Sequence, residues 1–192
     1  MTDASGSGPE GPVEAAGAGD PLAGDPLAVD TYDRLRRRVM WKLPSGLYLL
    51  GTTAGAHRNL MTLNWASQVA LQPKLVGVSV EREAFSAGLV ADGGVFALSV
   101  LARADRALVR RFVKPAADDP AAGTLSGQPV RTDVTGAPIL VAAVAWLDCE
   151  VRQTVECGSH RLFIGEVVGA GFAADEATEV LRMEDTRLNY GG

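Results

Sequence analysis

Hydrophobic and polar positions alternate most regularly in the eleven residues Asn59-Leu60-Met61-Thr62-Leu63-Asn64-Trp65-Ala66-Ser67-Gln68-Val69. That period predicts one strand, with Met61, Leu63, Trp65 and Val69 on one face and Ser67 as its polar exception. Thr62, Asn64 and Gln68 fall on the opposite face, with Ala66 between them. A face turned only to water more often carries charge. This one carries short, uncharged hydrogen-bonding groups, which suit a planar polar ligand, solvent or a second subunit.

The same reading along the chain gives short strands with helices between them. Asp30 is placed to cap a helix over 31–40, and Pro44-Ser45-Gly46 turns the chain into a strand over 47–53. After Gln72-Pro73, the run Leu-Val-Gly-Val-Ser-Val at 75–80 predicts a buried strand. A short helix over 84–91 should stop at Asp92-Gly93-Gly94, followed by a strand over 95–101 and a helix from Asp105 to Phe112. Residues 114–127 are rich in Pro, Ala and Asp and predict a loop. Two long β segments, 141–154 and 162–172, are joined by the turn Glu156-Cys157-Gly158-Ser159. Strands dominate without a regular βαβ order. The expected class is therefore mainly β with short helices, closed as an antiparallel barrel.

Composition changes this picture at the ends and narrows the partners. Residues 1–28 are mostly Gly, Ala, Pro, Asp and Ser, with too little apolar bulk to offset the entropy of ordering, so a disordered tail is expected ahead of one domain over 29–192. A formal charge of −5 argues against a nucleic-acid surface, because phosphate neutralisation needs an excess of Lys and Arg. The local run Arg34, Arg36, Arg37, Arg38 reads as the solvated face of the first helix. No apolar run reaches the ~20 residues of a bilayer span. A secretory n-region and h-region are not evident, and two cysteines, Cys149 and Cys157, imply no disulfide framework. A cytoplasmic protein with no membrane partner is expected.

Several motif matches carry no chemistry. Gly6-Ser7-Gly8-Pro9-Glu10-Gly11 fits GxGxxG but follows no strand and opens no helix. Gly169-Ala170-Gly171-Phe172-Ala173-Ala174 follows a strand, yet too little chain remains for a dinucleotide fold. Cys149, Cys157 and His160 lack the fourth ligand and spacing of a zinc site, so no metal is expected. Neither Cys is marked as a low-pKa nucleophile.

Three ordered segments resemble the flavin reductase-like family of FMN-binding split β-barrels. They are Asn59-x-Met61-Thr62 with Asn64-Trp65-Ala66-Ser67-Gln68-Val69 and Pro73; Val78-Ser79-Val80-Glu81-Arg82-x-x-x-Ser86; and Gly158-x-His160-x-x-Phe163-x-Gly165-Glu166-Val167. Together they fit the family from about residue 43 to 172. The resemblance implies that Asn64, Ser67, Gln68 and Val69 lie beside the flavin ring, with Thr62 and Trp65 close by. It implies that Arg82 and Ser86 receive the FMN phosphate, a role that suits a guanidinium and a first helical turn. It places His160 beside the flavin and the nicotinamide, as the nearest to a catalytic residue. His57 sits in an exposed turn.

The expected function is then NAD(P)H-dependent reduction of FMN or FAD by a homodimer that supplies reduced flavin to a separate monooxygenase. A flavoredoxin-like FMN electron carrier is the alternative, and a cofactor-free interaction barrel a third reading. Two positions depart from the family pattern. Phe85 stands where a basic residue is common, a change that weakens phosphate binding by ~1–3 kcal/mol. Ser159 stands where an Asp often precedes the histidine, removing a group that orients and charges the imidazole.

Overall fold

The computed structural model describes residues 26–186; the Gly/Ala/Pro-rich stretch 1–25 and the terminal residues 187–192 lie outside the described residues. Helix α1, Pro26–Met40, starts five residues before the expected Thr31. Proline suits the first helical position because the N–H it lacks would have no partner there. Asp30 is therefore inside the helix, where it does not cap but pairs with Arg34 at 2.6 Å. Asp33 takes Arg36 and Arg37 at 3.0 and 2.8 Å, so Arg34, Arg36 and Arg37 of the basic run are paired with carboxylates of their own helix. Among the described residues, those up to Lys42 form one unit and those from Leu43 a second.

The second unit is built on strands β1, Tyr48–Ala54; β2, His57–Leu63; β3, Ala66–Ala70; and β4, Leu75–Glu81. Helix α2, Phe85–Gly93, and strand β5, Val95–Val100, follow. Four short strands come next: β6, Asp118–Asp119; β7, Thr124–Leu125; β8, Gln128–Arg131; and β9, Ile139–Leu140. The long hairpin β10, Ala145–Cys157, and β11, His160–Phe172, completes the order. The main sheet runs β2-β1-β5-β10-β11-β4-β3, every pair antiparallel.

That order forces closure. Seven strands laid flat would separate β2 from β3 by roughly 29 Å at the usual strand spacing. Only Asn64 and Trp65 join them, a link that reaches about 11 Å when extended. The sheet must curl until its two edges meet at a seam that carries no ladder. This is the expected barrel, split at β2/β3. Its interior is filled by Leu50, Leu63, Val76, Val78, Val80, Phe96, Leu98, Cys149 and Phe163, with Ala87 and Val90 of α2 plugging one end. Gly94, at φ 68° in the left-handed region, ends α2 by donating its amide to Val90 O.

The structure corrects several expectations from the chain. Residues 59–69 do not form one strand, because Asn64 and Trp65 carry the chain across the seam to the opposite edge of the sheet. The expected helix from Asp105 is instead two 3-10 turns, Arg103–Asp105 and Leu108–Phe112. Thr62 Oγ1 donates to Val109 O at 2.6 Å, which diverts a carbonyl an α-helix would use, and buried Val109 and Phe112 stand at the i, i+3 spacing a 3-10 turn aligns. The expected loop over 114–127 includes β6 and β7, tied down by a two-pronged Arg58–Asp118 ion pair and by Asn59 Oδ1, which accepts Ala116 N–H at 2.7 Å. β10 and β11 pair along thirteen residues each, with His160 as the first residue of its strand.

The two cysteines differ sharply. Cys149 is fully buried in the barrel, and burial, helped by the neighbouring Asp148 carboxylate, pushes its thiol up to about 12. Cys157 is exposed. Labelling with an aromatic disulfide at pH 8 is expected to modify Cys157 alone in the folded protein and Cys149 only on unfolding; two thiols reacting at one rate would contradict this. A thiol pKa raised by folding contributes stability that is complete below the unfolded value near 8.5 and is lost as pH rises toward 12. The alkaline fall in melting temperature should be smaller in Cys149→Ala.

Candidate functional site

The best-equipped surface lies on the outer face of β3, β4 and β11. In β4 the alternate residues Val76, Val78 and Val80 enter the core, so Gly77, Ser79 and Glu81 face outward. Directly paired residues share a face, which places Ser67 beside Gly77 on one flank and Leu162 and His160 beside Ser79 and Glu81 on the other. A side chain at Gly77 would meet Val69 Cγ1 at 3.2 Å and Leu162 Cδ1 at 3.3 Å. Glycine there lets those two side chains close over the strand, and Gly77 itself is buried beneath them.

Trp65 and His160 reach toward each other across β4. Their ring centroids are 4.8 Å apart and their planes tilted by 49°, a spacing typical of favourable aromatic pairs. Trp65 O accepts the Ser79 amide at 2.9 Å, which fixes the tryptophan's backbone where β3 begins. His160 follows a two-residue turn in which Gly158 takes φ 59°. Ser159 Oγ lies 2.8 Å from His160 Nδ1, so a neutral hydroxyl holds the ring where an acid is common in the family pattern.

The third component is a charged chain at the same turn. The Arg82 amide donates to Ser159 O at 2.9 Å, and its guanidinium pairs with Glu156 at 2.8 Å. Glu156 also accepts Arg161 Nε at 2.8 Å. β3 ends the sheet, with Ser67, Gln68 and Val69 exposed and no charged residue in the strand. Ser67 Oγ donates to Gln68 O at 3.2 Å along that edge.

Of the residues singled out in the sequence, the structure brings Trp65, Ser67, Val69 and His160 to this surface, with Asn64 and Gln68 at its margin and Arg82 at the adjoining turn. It does not bring the hydroxyls of Thr62 and Ser86 there. Thr62 is buried and engaged with Val109 O, while Ser86 is fully buried, its Oγ accepting Asn59 Nδ2 at 2.9 Å and Thr52 Oγ1 at 3.4 Å. Ser86, in the first turn of α2, is fully enclosed and offers nothing to an outside group. The polar face Thr62–Asn64–Gln68 does not exist as one face. The outward row is Trp65–Ser67–Val69, with the supposed exception Ser67 at its centre.

Two contributors escaped the sequence reading. Gly77 had a signal, since an isolated glycine inside a strand pattern marks close approach of another group. Glu156 had none: a glutamate in a turn says nothing of two arginines. Among the described residues no group of three or more His, Cys, Asp or Glu could hold a metal ion, and no helix is long and apolar enough to cross a membrane.

Comparison with known proteins matches residues 40–191 to the family model described as flavin reductase like domain. An NADH-dependent FAD reductase of Streptomyces globisporus is 32% identical over 143 residues, covering 74% of this chain and 78% of that protein. The solved NADH:FAD oxidoreductase of Streptomyces globisporus C-1027 superposes with a TM-score of 0.68 at 30% identity, over 80% of this chain and 89% of the other. Diflavin flavoprotein A 1 of Synechocystis sp. is 28% identical over 140 residues, 72% of this chain but 24% of that protein. The chain spans about a quarter of the length of the diflavin flavoproteins it matches.

Proposed function

Because this chain belongs to the flavin reductase-like family, we propose that it reduces flavin with NAD(P)H on the outer face of β3, β4 and β11. The single observation that carries the reading is the Trp65–His160 ring pair beside the neutral edge strand. The donor set fits an isoalloxazine ring. A flat ring needs hydrogen-bonding groups along one edge, which β3 carries in its backbone and in Ser67 and Gln68, with Asn64 just ahead of it. Trp65 and Val69 add apolar contact. Arg82, exposed at the adjoining turn, suits the phosphate of FMN or FAD, whereas Ser86 lies too deep to reach it. Thr62 lies apart from this surface, its hydroxyl engaged with Val109 O.

When bound, the isoalloxazine supplies the redox chemistry by accepting a hydride from reduced nicotinamide. The chain's own residues bind and orient. Ser159 fixes the His160 ring through Nδ1, leaving Nε2 to meet a substrate group, and Trp65 limits the ring's rotation on its other side. No side chain need act as a nucleophile.

In this reading a second copy covers exposed Val69, Leu71 and Phe85, which a lone barrel would leave to water, and the protein works as a cytoplasmic homodimer that hands reduced flavin to a monooxygenase. The neutral Ser159 and apolar Phe85 favour one rival, a carrier that keeps FMN and exchanges electrons with a protein. Absorbance spectra of purified protein with added FMN decide between them. Bleaching of the flavin bands on adding NAD(P)H is expected, and retained yellow colour without nicotinamide oxidation would establish the carrier instead.

A further inference from the structure

The proposed phosphate partner Arg82 already holds an anion. Its Nη2 lies 2.8 Å from one carboxylate oxygen of Glu156, and the other oxygen of that carboxylate takes Arg161 Nε at 2.8 Å. Glu156 and Arg161 face each other directly across the β10/β11 hairpin, so the backbone ladder fixes where the carboxylate sits. The Arg82 side chain is 42% exposed and therefore reachable from solvent.

We infer that Glu156 is a built-in competitor for the flavin phosphate: a specificity-determining residue that sets how readily phosphate-bearing flavin is released. The inference rests on the reading of Arg82 as the phosphate partner. A guanidinium grips phosphate best through two parallel N–H groups, and a second anion on the same fork repels the incoming one. Displacing Glu156 does not orphan it, because Arg161 still holds the other oxygen. The exchange is therefore readily reversible in both directions. A protein that delivers flavin to another needs such release, whereas a carrier that retains FMN does not.

Fluorescence-quenching titrations with FMN and with riboflavin, which has the same ring and no phosphate, test this. At low salt, Glu156→Gln is expected to tighten FMN about threefold to tenfold and leave riboflavin within about twofold. The gain should shrink at high salt and vanish in an Arg82→Ala background. Glu166→Gln removes the same charge from an ion pair with Arg152, farther along β11, and should change neither affinity. Unchanged FMN affinity in Glu156→Gln, or an equal gain for FMN and riboflavin, would overturn the competitor role while leaving the flavin site standing. Wild-type protein that binds neither flavin would overturn the site itself. Tight FMN binding insensitive to Arg82→Ala would move the phosphate elsewhere and end the inference on that ground.

Discussion

Replacing His160 with alanine is expected to lower NAD(P)H-driven flavin reduction by about tenfold to a hundredfold, a loss of ~1.4–2.7 kcal/mol of transition-state stabilisation. Flavin affinity should stay within about twofold, because the proposed site shares ring contact among Trp65, Val69 and the β3 edge. The argument is geometric. His160 is held by Ser159 at Nδ1 and flanked by Trp65 at 4.8 Å, so its free edge has one orientation relative to the sheet. A fixed donor acts on the reacting centre only if its position is held before substrate arrives. Ser159→Ala should therefore give a smaller loss, since it frees the ring without removing it. Stopped-flow reduction at saturating nicotinamide separates the hydride step from binding. Unchanged rates in His160→Ala would remove the histidine from the reaction altogether.

The largest expected effect on stability comes from a single methyl group at Gly51. This residue of β1 pairs with Leu60 and with Ala97, and an added Cβ would stand 1.8 Å from the carbonyl oxygen of Pro138 and 2.9 Å from its carbon. The obstacle is backbone, which cannot rotate away as a side chain can. Nor can its segment withdraw easily, since Ala137 and Ile139 on either side are fully buried against Ala97 and Trp146. Gly51→Ala is expected to destabilise by at least ~3 kcal/mol, lowering Tm by about 6–12 °C for a domain of this size. Gly88 provides the contrast. It lies in α2 with nothing within 4 Å of a Cβ, so Gly88→Ala should stabilise by about 0.5–1 kcal/mol. Thermal melts followed by circular dichroism check both, and equal Tm values for Gly51→Ala and wild type would contradict the packing argument.

The strands themselves were readable because their signals are local. The apolar run at 75–80, the Asp92-Gly93-Gly94 stop and the glycine turn at 158 each mark an element through neighbouring residues. They match β4, the end of α2 and the β10/β11 hairpin within a residue or a few. The opening segment misled for the same reason. Its alternation continues through Asn64 and Trp65 without glycine or proline, so nothing local marks the point where the chain leaves one edge of the sheet for the other. Once that break is placed, the faces reassign themselves, and Ser67 rather than Thr62 becomes the central outward polar group.

What the sequence determined by itself was the β-rich class, the ordered motifs of the family and the set of residue types available for a polar planar ligand. Periodicity shows that two sides of a strand differ. It does not show what each side meets. Only the tertiary structure decided that Thr62 spends its hydroxyl on Val109 O beneath the 3-10 turn and Ser86 its own on Asn59 and Thr52, that Trp65 meets His160 across an intervening strand, and that Arg82 is engaged by Glu156. Each of those pairings joins residues far apart in the chain, brought together by strand pairing in the seven-stranded sheet and by the turns and helix packed against it. Hydrogen bonds and ion pairs act over a few ångströms of space, so partners set by tertiary pairing leave no local mark in the chain.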